Sequence, residues 1–254
     1  MGEVIMGPAV VQPAEADTPA LSFPERLMGI FISPGETLED VARKPGFWAP
    51  MIALVIGAVA VTETMLWKIG MERIVRMSIE QSSRASSMSP EQMDQAVRQG
   101  ARIGGIFAHI TGFVAVPVIL LIVAGLGILI VNVIFGAKVK FKTVFSLVSY
   151  ANLVSLLGSL MALAVILFGD PDHFNPQNPV PANVGFFLNP TQVSKPLYAL
   201  ASSPDIFTTW MLILVAIGLS KAAGGKAKPL PIFLVYAGLW AIWILIKMGL
   251  ALLG

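Results

Sequence analysis

Five blocks of the chain are long, apolar and almost free of charge. They run from about 47 to 66, 104 to 135, 143 to 168, 206 to 220 and 230 to 252. A helix needs about 20 such residues to cross roughly 30 Å of hydrocarbon. Hydrocarbon offers backbone N–H and C=O groups no partner, so such blocks are stable there as helices bonded within themselves. The expected fold class is therefore an all-α integral membrane protein with five transmembrane helices. The fourth block is short and gains length from Ser203-Pro204 before it. Composition agrees with this reading. The chain is 56% hydrophobic and 13% charged, whereas a soluble domain is about 25% charged.

Lysine and arginine set the expected orientation, because short basic segments stay on the cytoplasmic side. Arg26, Arg43 and Lys44 precede the first block, Lys138, Lys140 and Lys142 follow the second, and Lys221, Lys226 and Lys228 follow the fourth. The long segment after the third block carries only Lys195. This places the N-terminus in the cytoplasm, the C-terminus outside, and the protein in the cell (inner) membrane. The connection 67–103 disagrees, with Lys68, Arg73, Arg76, Arg84, Arg98 and Arg102. Acidic Glu72, Glu80, Glu91 and Asp94 share it. The reversed orientation stays open on its account.

That connection also carries helical signals. Trp67, Met71, Ile74 and Val75 recur at helical spacing, and Ser89-Pro90-Glu91-Gln92 is a helix start with a capping serine and a glutamine three residues on. Beyond it Met93, Ala96, Val97, Gly100, Ala101 and Gly104 share a face of nearly all small residues that admits a neighbouring helix. The expectation is a long extramembrane helical hairpin between spans one and two. Two amphipathic helices lying on the membrane surface are the alternative.

Residues 1–20 lack lysine and arginine, show no cleavable signal and are expected to be a disordered tail. Residues 21–46 contain two further helix starts, Ser22-Phe-Pro-Glu25 and Ser33-Pro-Gly-Glu36, and are expected as cytoplasmic interfacial helices. Pro45-Gly46 ends the second, and Phe47-Trp48 suits the membrane surface. The remainder, 47–254, is the expected membrane domain. Between its third and fourth spans, prolines 171, 176, 179, 181, 190, 196 and 204 forbid a long helix, so a proline-rich cap is expected.

Signals for chemistry are few. The chain has no cysteine, which excludes disulfides, thiolate metal sites and cysteine nucleophiles. A net charge of +2 gives no case for nucleic acid. No phosphate-binding loop, nucleophile elbow or zinc-protease motif is present. Asp170-Pro-Asp172-His173-Phe-Asn175 resembles a calcium loop but has Asn175 where a glycine is needed. No catalytic residue, metal or cofactor is expected, and the chain is not expected to be an enzyme. Asn132, Ser149 and Asn152 suit interhelical hydrogen bonds. Pro117, inside the second span, frees the carbonyl of Phe113 and predicts a kink.

Glu63, His109 and Lys247 are the ionisable residues deepest in their spans. With the N-terminus inside, counting at 1.5 Å per residue brings all three to one level of the outer leaflet. An intramembrane charge is costly unless paired or able to reach the interface. Two readings stand: a polar cluster able to hold a proton, an ion or a lipid head group, or three side chains each reaching the interface alone.

Three stretches resemble the Yip domain family, the Ypt-interacting membrane proteins and their prokaryotic relatives. They are Ser33-Pro-Gly-Glu-Thr-Leu-Glu-Asp40 leading to Lys44-Pro-Gly-Phe-Trp-Ala-Pro50; Phe135-Gly-Ala-Lys-Val-Lys-Phe-Lys-Thr-Val-Phe145 with Ser149-Tyr150-Ala-Asn-Leu153; and Pro204-Asp-Ile-Phe-Thr-Thr-Trp210. The resemblance implies five spans with the N-terminus inside. Eukaryotic members are associated with Rab-type GTPases and vesicle formation, which implies a trafficking role. Their signature before span one is acidic-Leu-Tyr-Gly-Pro-Phe-Trp. Here Pro45-Gly46-Phe47-Trp48 stands with no tyrosine and with glycine and proline reversed, which argues against a GTPase partner, and the proline-rich external loop and the long hairpin resemble prokaryotic members. The expected function is a non-catalytic multi-pass membrane protein that organises protein partners, copies of itself or lipids. A small-solute or ion transporter or channel is the rival.

Overall fold

The structure, a computed structural model, describes residues 19–80, 82, 87–170 and 174–253. The tail expected over 1–20 falls almost wholly outside them, as does the centre of the segment Asp170 to Asn175. Every regular element described is helical. Four helices are long and apolar enough to cross a membrane, and a bent pair supplies a fifth crossing if it counts as one span.

Two short helices come first, α1 (Phe23–Ile32) and α2 (Pro34–Arg43). The Ser22 backbone N–H donates to the Glu25 carboxylate at 2.6 Å, which ties the start of α1. Ser33 behaves differently from the expected cap. It closes α1 by donating its N–H to the Gly29 carbonyl, so its backbone lies outside extended cap geometry and its side chain makes no capping bond. Its carbonyl instead accepts from both the N–H and the hydroxyl of Thr37. Thr37 in turn packs against Gly29, where any side chain would collide with the threonine hydroxyl.

α3 (Trp48–Lys68) is the first long helix, and α4 (Met71–Glu80) follows after a break at Ile69-Gly70, where Gly70 takes a φ of +84°. α5 (Pro90–Ile128) opens on the Ser89 capping box, with Gln92 N–H on the Ser89 hydroxyl at 3.3 Å and the Ser89 N–H on the Gln92 side chain at 2.9 Å. It runs uninterrupted through Pro117. Further along it loosens into a π-helical stretch at Leu129–Ile134. The Asn132 side chain then clamps the following turn, accepting from the Val139 N–H at 2.7 Å and donating to its carbonyl at 2.9 Å. The Ser149 hydroxyl and the Asn152 amide bond carbonyls four residues back, so these three polar side chains serve their own segments and not the helix pairings expected of them. For Ser149 and Asn152 the carbonyl one turn back is within direct reach of the side chain.

α6 (Phe141–Ala151) continues through a 3₁₀ turn at Asn152–Val154 into α7 (Ser155–Phe168). α8 (Lys195–Ala201) and α9 (Ile206–Ala222) are bent by 49° at Pro204, and α10 (Pro229–Leu253) closes the chain. The third long crossing is thus α6 with α7, and the short fourth block gains α8 as its bent partner.

The core lies around α6, whose residues from Val144 to Ala151 are all buried. Leu147 and Val148 of α6, Leu214 and Leu219 of α9, Leu38 and Val41 of α2 and Ile30 of α1 meet there. Close approach depends on small residues, as expected where apolar burial cannot separate helix from lipid. A Cβ at Gly218 would lie 3.0 Å from Leu147, and one at Gly57 would lie 2.9 Å from Leu156. α5 and α10 are peripheral and turn Ile106, Phe107, Phe113, Ile242 and Leu245 outward.

α5 runs antiparallel to α3 and α4 in one continuous register. Thr62 faces Gly112, Met71 faces Gly104 and Val75 faces Gly100, where a Cβ would come within 2.8 Å of the valine. Arg76 and Asp94 close the far end at 2.7 Å. The small-residue face is therefore the seam of a helical hairpin, and Val97 is buried in it.

Candidate functional site at the hairpin and loop end

Helix direction divides the molecule into two ends. At one end lie α2, the turn 135–140 and the turn 221–228. Lys221 pairs with Glu39 at 2.7 Å, and Lys226 reaches the Gly136 carbonyl at 3.2 Å. At the other end lie the α4–α5 hairpin, the segment 174–205 and the C-terminal part of α10.

The structure brings Glu63 and His109 together, the Glu63 carboxylate lying 2.7 Å from His109 Nδ1. Both side chains remain about half exposed to the surroundings of the bundle, at 46% and 55%. Lys247 lies apart from them. Its ammonium donates to the Ser203 hydroxyl at 2.9 Å, on the turn between α8 and α9. α10 packs along α8 here, which carries Lys247 to a different neighbour from the one that turn-counting alone suggests. Pro117 is half-buried in α5 and touches neither group.

Two cavities of about 530 Å³ open at this end. One lies among α3, α7 and α9 and is bordered by Asn152, Ser155, Ser159, Asp205 and Thr208. The other contains Lys247 and lies between α8, α10 and Ser78 of α4. Asn178 and Ser202 belong to both walls. The Asn178 and Asn183 amides exchange two hydrogen bonds, at 2.9 and 2.8 Å, and so fix the loop between the cavities. Asp205 accepts the Thr208 N–H at 2.8 Å and caps α9. No group of three or more His, Asp or Glu among the described residues is placed to hold a metal ion.

The opposite end holds a polar pair that sequence reasoning missed. Arg26 and Asp40 are buried, at 5% and 3% exposure. The Arg26 guanidinium donates to the Asp40 carboxylate at 2.8 Å and to the Lys44 carbonyl at 3.0 Å, and its charge lies 5.4 Å from the centre of the Tyr150 ring. The Leu21 N–H and Arg43 also approach Asp40. The pair ties α1 to α2 and seats both on α6. One signal was present in the sequence: Arg26 falls at helical spacing with Phe23 and Ile30, on the face that α1 turns to the core.

The family model for the Yip1 domain matches residues 28–250. The chain belongs to the Yip1 domain family. This agrees with the resemblance carried by residues 33–50, 135–153 and 204–210, and the match reaches from α1 almost to the end of α10. No curated protein and no solved structure matches the chain. As a Yip1 domain protein with several apolar spanning helices, it is an integral multi-pass membrane protein in contact with the lipid bilayer.

Proposed function

We propose that this Yip1 domain protein is a non-catalytic organiser of protein partners or lipids, with the hairpin and loop end as its working surface. One observation carries the reading. The helix Pro90–Ile134 has 45 residues, roughly 68 Å at 1.5 Å per residue, about twice the hydrocarbon thickness. Its first turns, paired with α4, project beyond the bilayer as a helical arm. A helical arm presents a surface at a lower ordering cost than an unstructured segment pays on binding. Partners are other membrane proteins or further copies of the chain, and a trafficking role follows from the family alone.

In this reading the N-terminus and the basic turns face the cytoplasm of a cell (inner) membrane, and the arm lies outside. The clustering of Arg43, Lys44, Lys140, Lys221 and Lys226 at one end supports it. Photo-crosslinkers at Gln95 on the arm and at Lys138 on the opposite end test the proposal in native membranes. Discrete protein adducts from Gln95, and few from Lys138, are expected. A Gln95 site that yields no adduct across several membrane preparations contradicts it. A second reading, a small-solute or ion pathway, is favoured by the cavity among α3, α7 and α9, whose largely apolar wall carries Asn152, Ser155, Ser159 and Thr208. Proteoliposome flux of ions and metabolites above that of empty vesicles would establish it.

A further inference from the structure

We infer that the cavity among α3, α7 and α9 binds an amphiphile with an ammonium head group, the head at the loop end and the tail inside the bundle. The cavity holds about 530 Å³, within the range of small-ligand sites. Its chemistry changes with depth. Asp205 borders it where α9 begins, beside the loop that the Asn178 and Asn183 amides tie together. Met211 borders it on the same helix, about 9 Å deeper at 1.5 Å per residue. With Ala58, Val61 and Ala162 it makes an apolar wall below the polar mouth.

The lining selects the sign of the ligand. Among the described residues bordering the cavity there is one carboxylate, Asp205, and no lysine, arginine or histidine. One Asp205 oxygen accepts the Thr208 N–H at 2.8 Å, and among the described residues no basic side chain pairs with the other. Lys247 ends on the Ser203 hydroxyl and borders the neighbouring cavity instead. The N-terminus of α9 offsets about half of the Asp205 charge, and the remainder is left for a cation. The Ser155, Ser159 and Thr208 hydroxyl oxygens add lone pairs and no charge. A carboxylate and hydroxyl oxygens around one space match the N–H donors of an ammonium group and disfavour an anion. The apolar wall sets the rest of the ligand. A small amine would leave that wall in contact with water, whereas an alkyl tail covers it.

This inference rests on the lipid half of the proposed function, and its failure leaves adducts from Gln95 unaffected. The test uses the full chain in an uncharged detergent at neutral pH. Decylammonium, decanol, decyl sulfate and ethylammonium are titrated while bound ligand is read by native mass spectrometry. Decylammonium should bind about tenfold or more tighter than each of the others. Asp205→Asn keeps a residue able to cap α9 and removes the charge. It should lose about tenfold in decylammonium affinity and change that for decanol less than about twofold. Glu36→Gln, on α2 at the opposite end, should change neither by more than about twofold. Ala58→Phe fills the apolar part and keeps Asp205, so it should weaken decylammonium and decanol alike, by about tenfold, and it serves if Asp205→Asn does not fold. Decanol binding as tightly as decylammonium overturns the proposal, as does undiminished decylammonium affinity in Asp205→Asn or in Ala58→Phe. Ethylammonium binding as tightly as decylammonium overturns it in favour of a soluble amine.

Discussion

The two ends of the molecule use the same kinds of residue to opposite effect. At the basic end an arginine and an aspartate are withdrawn from solvent, multiply bonded and packed on the tyrosine of α6. At the hairpin end the pairs Glu63–His109 and Arg76–Asp94 have comparable distances but stand about half exposed. A buried pair is costly to break, because removing one partner strands a charge. An exposed pair outside the membrane, such as Arg76–Asp94, is worth little, because water and salt compete for both groups. The basic end is therefore built to hold its shape. The hairpin end, with its cavities and exposed pairs, is held less tightly.

The largest effect that could break this comparison is at Asp40. Asp40→Ala should destabilise the chain by about 3–5 kcal/mol, because Arg26 is left buried without its carboxylate. Asp94→Ala should cost less than about 1 kcal/mol. Unfolding in mild detergent measures both, and equal losses would erase the distinction between the ends. Next comes the hairpin seam. Gly100→Val would collide with Val75, already 2.8 Å from a built Cβ. Overpacking of this kind costs about 1–3 kcal/mol. The distance between labels on α4 and on the first turns of α5 should lengthen while the core around α6 is unchanged. A core that loosens as well would mean that the arm is not separable from it.

How much of this was legible follows from the range of each interaction. The long helices show in the sequence because hydrocarbon demands an apolar run, and the observed α3, Trp48–Lys68, begins and ends within two residues of the block 47–66. The hairpin shows because its capping box and its small face are local patterns. Glu63 and His109 lie on the two arms of one hairpin, so counting turns speaks to their level. Counting cannot choose the partner of Lys247, because Ser203 arrives through the packing of α8 against α10. Arg26 and Asp40 are 14 positions apart, and only the fold of α1 back onto α2 joins them. The cavities are voids between elements and leave no local pattern.

Smaller effects sharpen the comparison. Glu63→Gln removes the carboxylate beside His109 and should lower stability less than Asp40→Ala does, since the pair is half exposed and not buried in the core. Glu80→Gln, at the end of α4, should have a smaller effect, and thermal unfolding of the two variants side by side decides it. The smallest effect concerns Glu39. Its hydrogen bond to Lys221, reinforced by the lysine charge, holds its carboxyl below the ordinary value of 4.5. A carboxyl lowered in the folded state stabilises above its unfolded value, and that stability is lost as the pH falls through the folded one. The stability difference between the natural chain and Glu39→Gln should thus be present at neutral pH and shrink below about pH 4.5. A difference that grows on acidification would contradict the pairing.

Amide hydrogen exchange across the whole chain tests the contrast between the ends most directly. Exchange reports the free energy of opening segment by segment, from local fraying up to global unfolding. In lipid nanodiscs α1 and α2, at residues 23–43, should be protected as strongly as α6, because Ile30, Leu38 and Val41 are part of the same core and Arg26 and Asp40 are buried as a pair. Residues 71–80 and 90–100 should exchange at least about a hundredfold faster through local opening of the arm. If α1 and α2 exchange as fast as the arm, the buried pair does not anchor that end and the account fails.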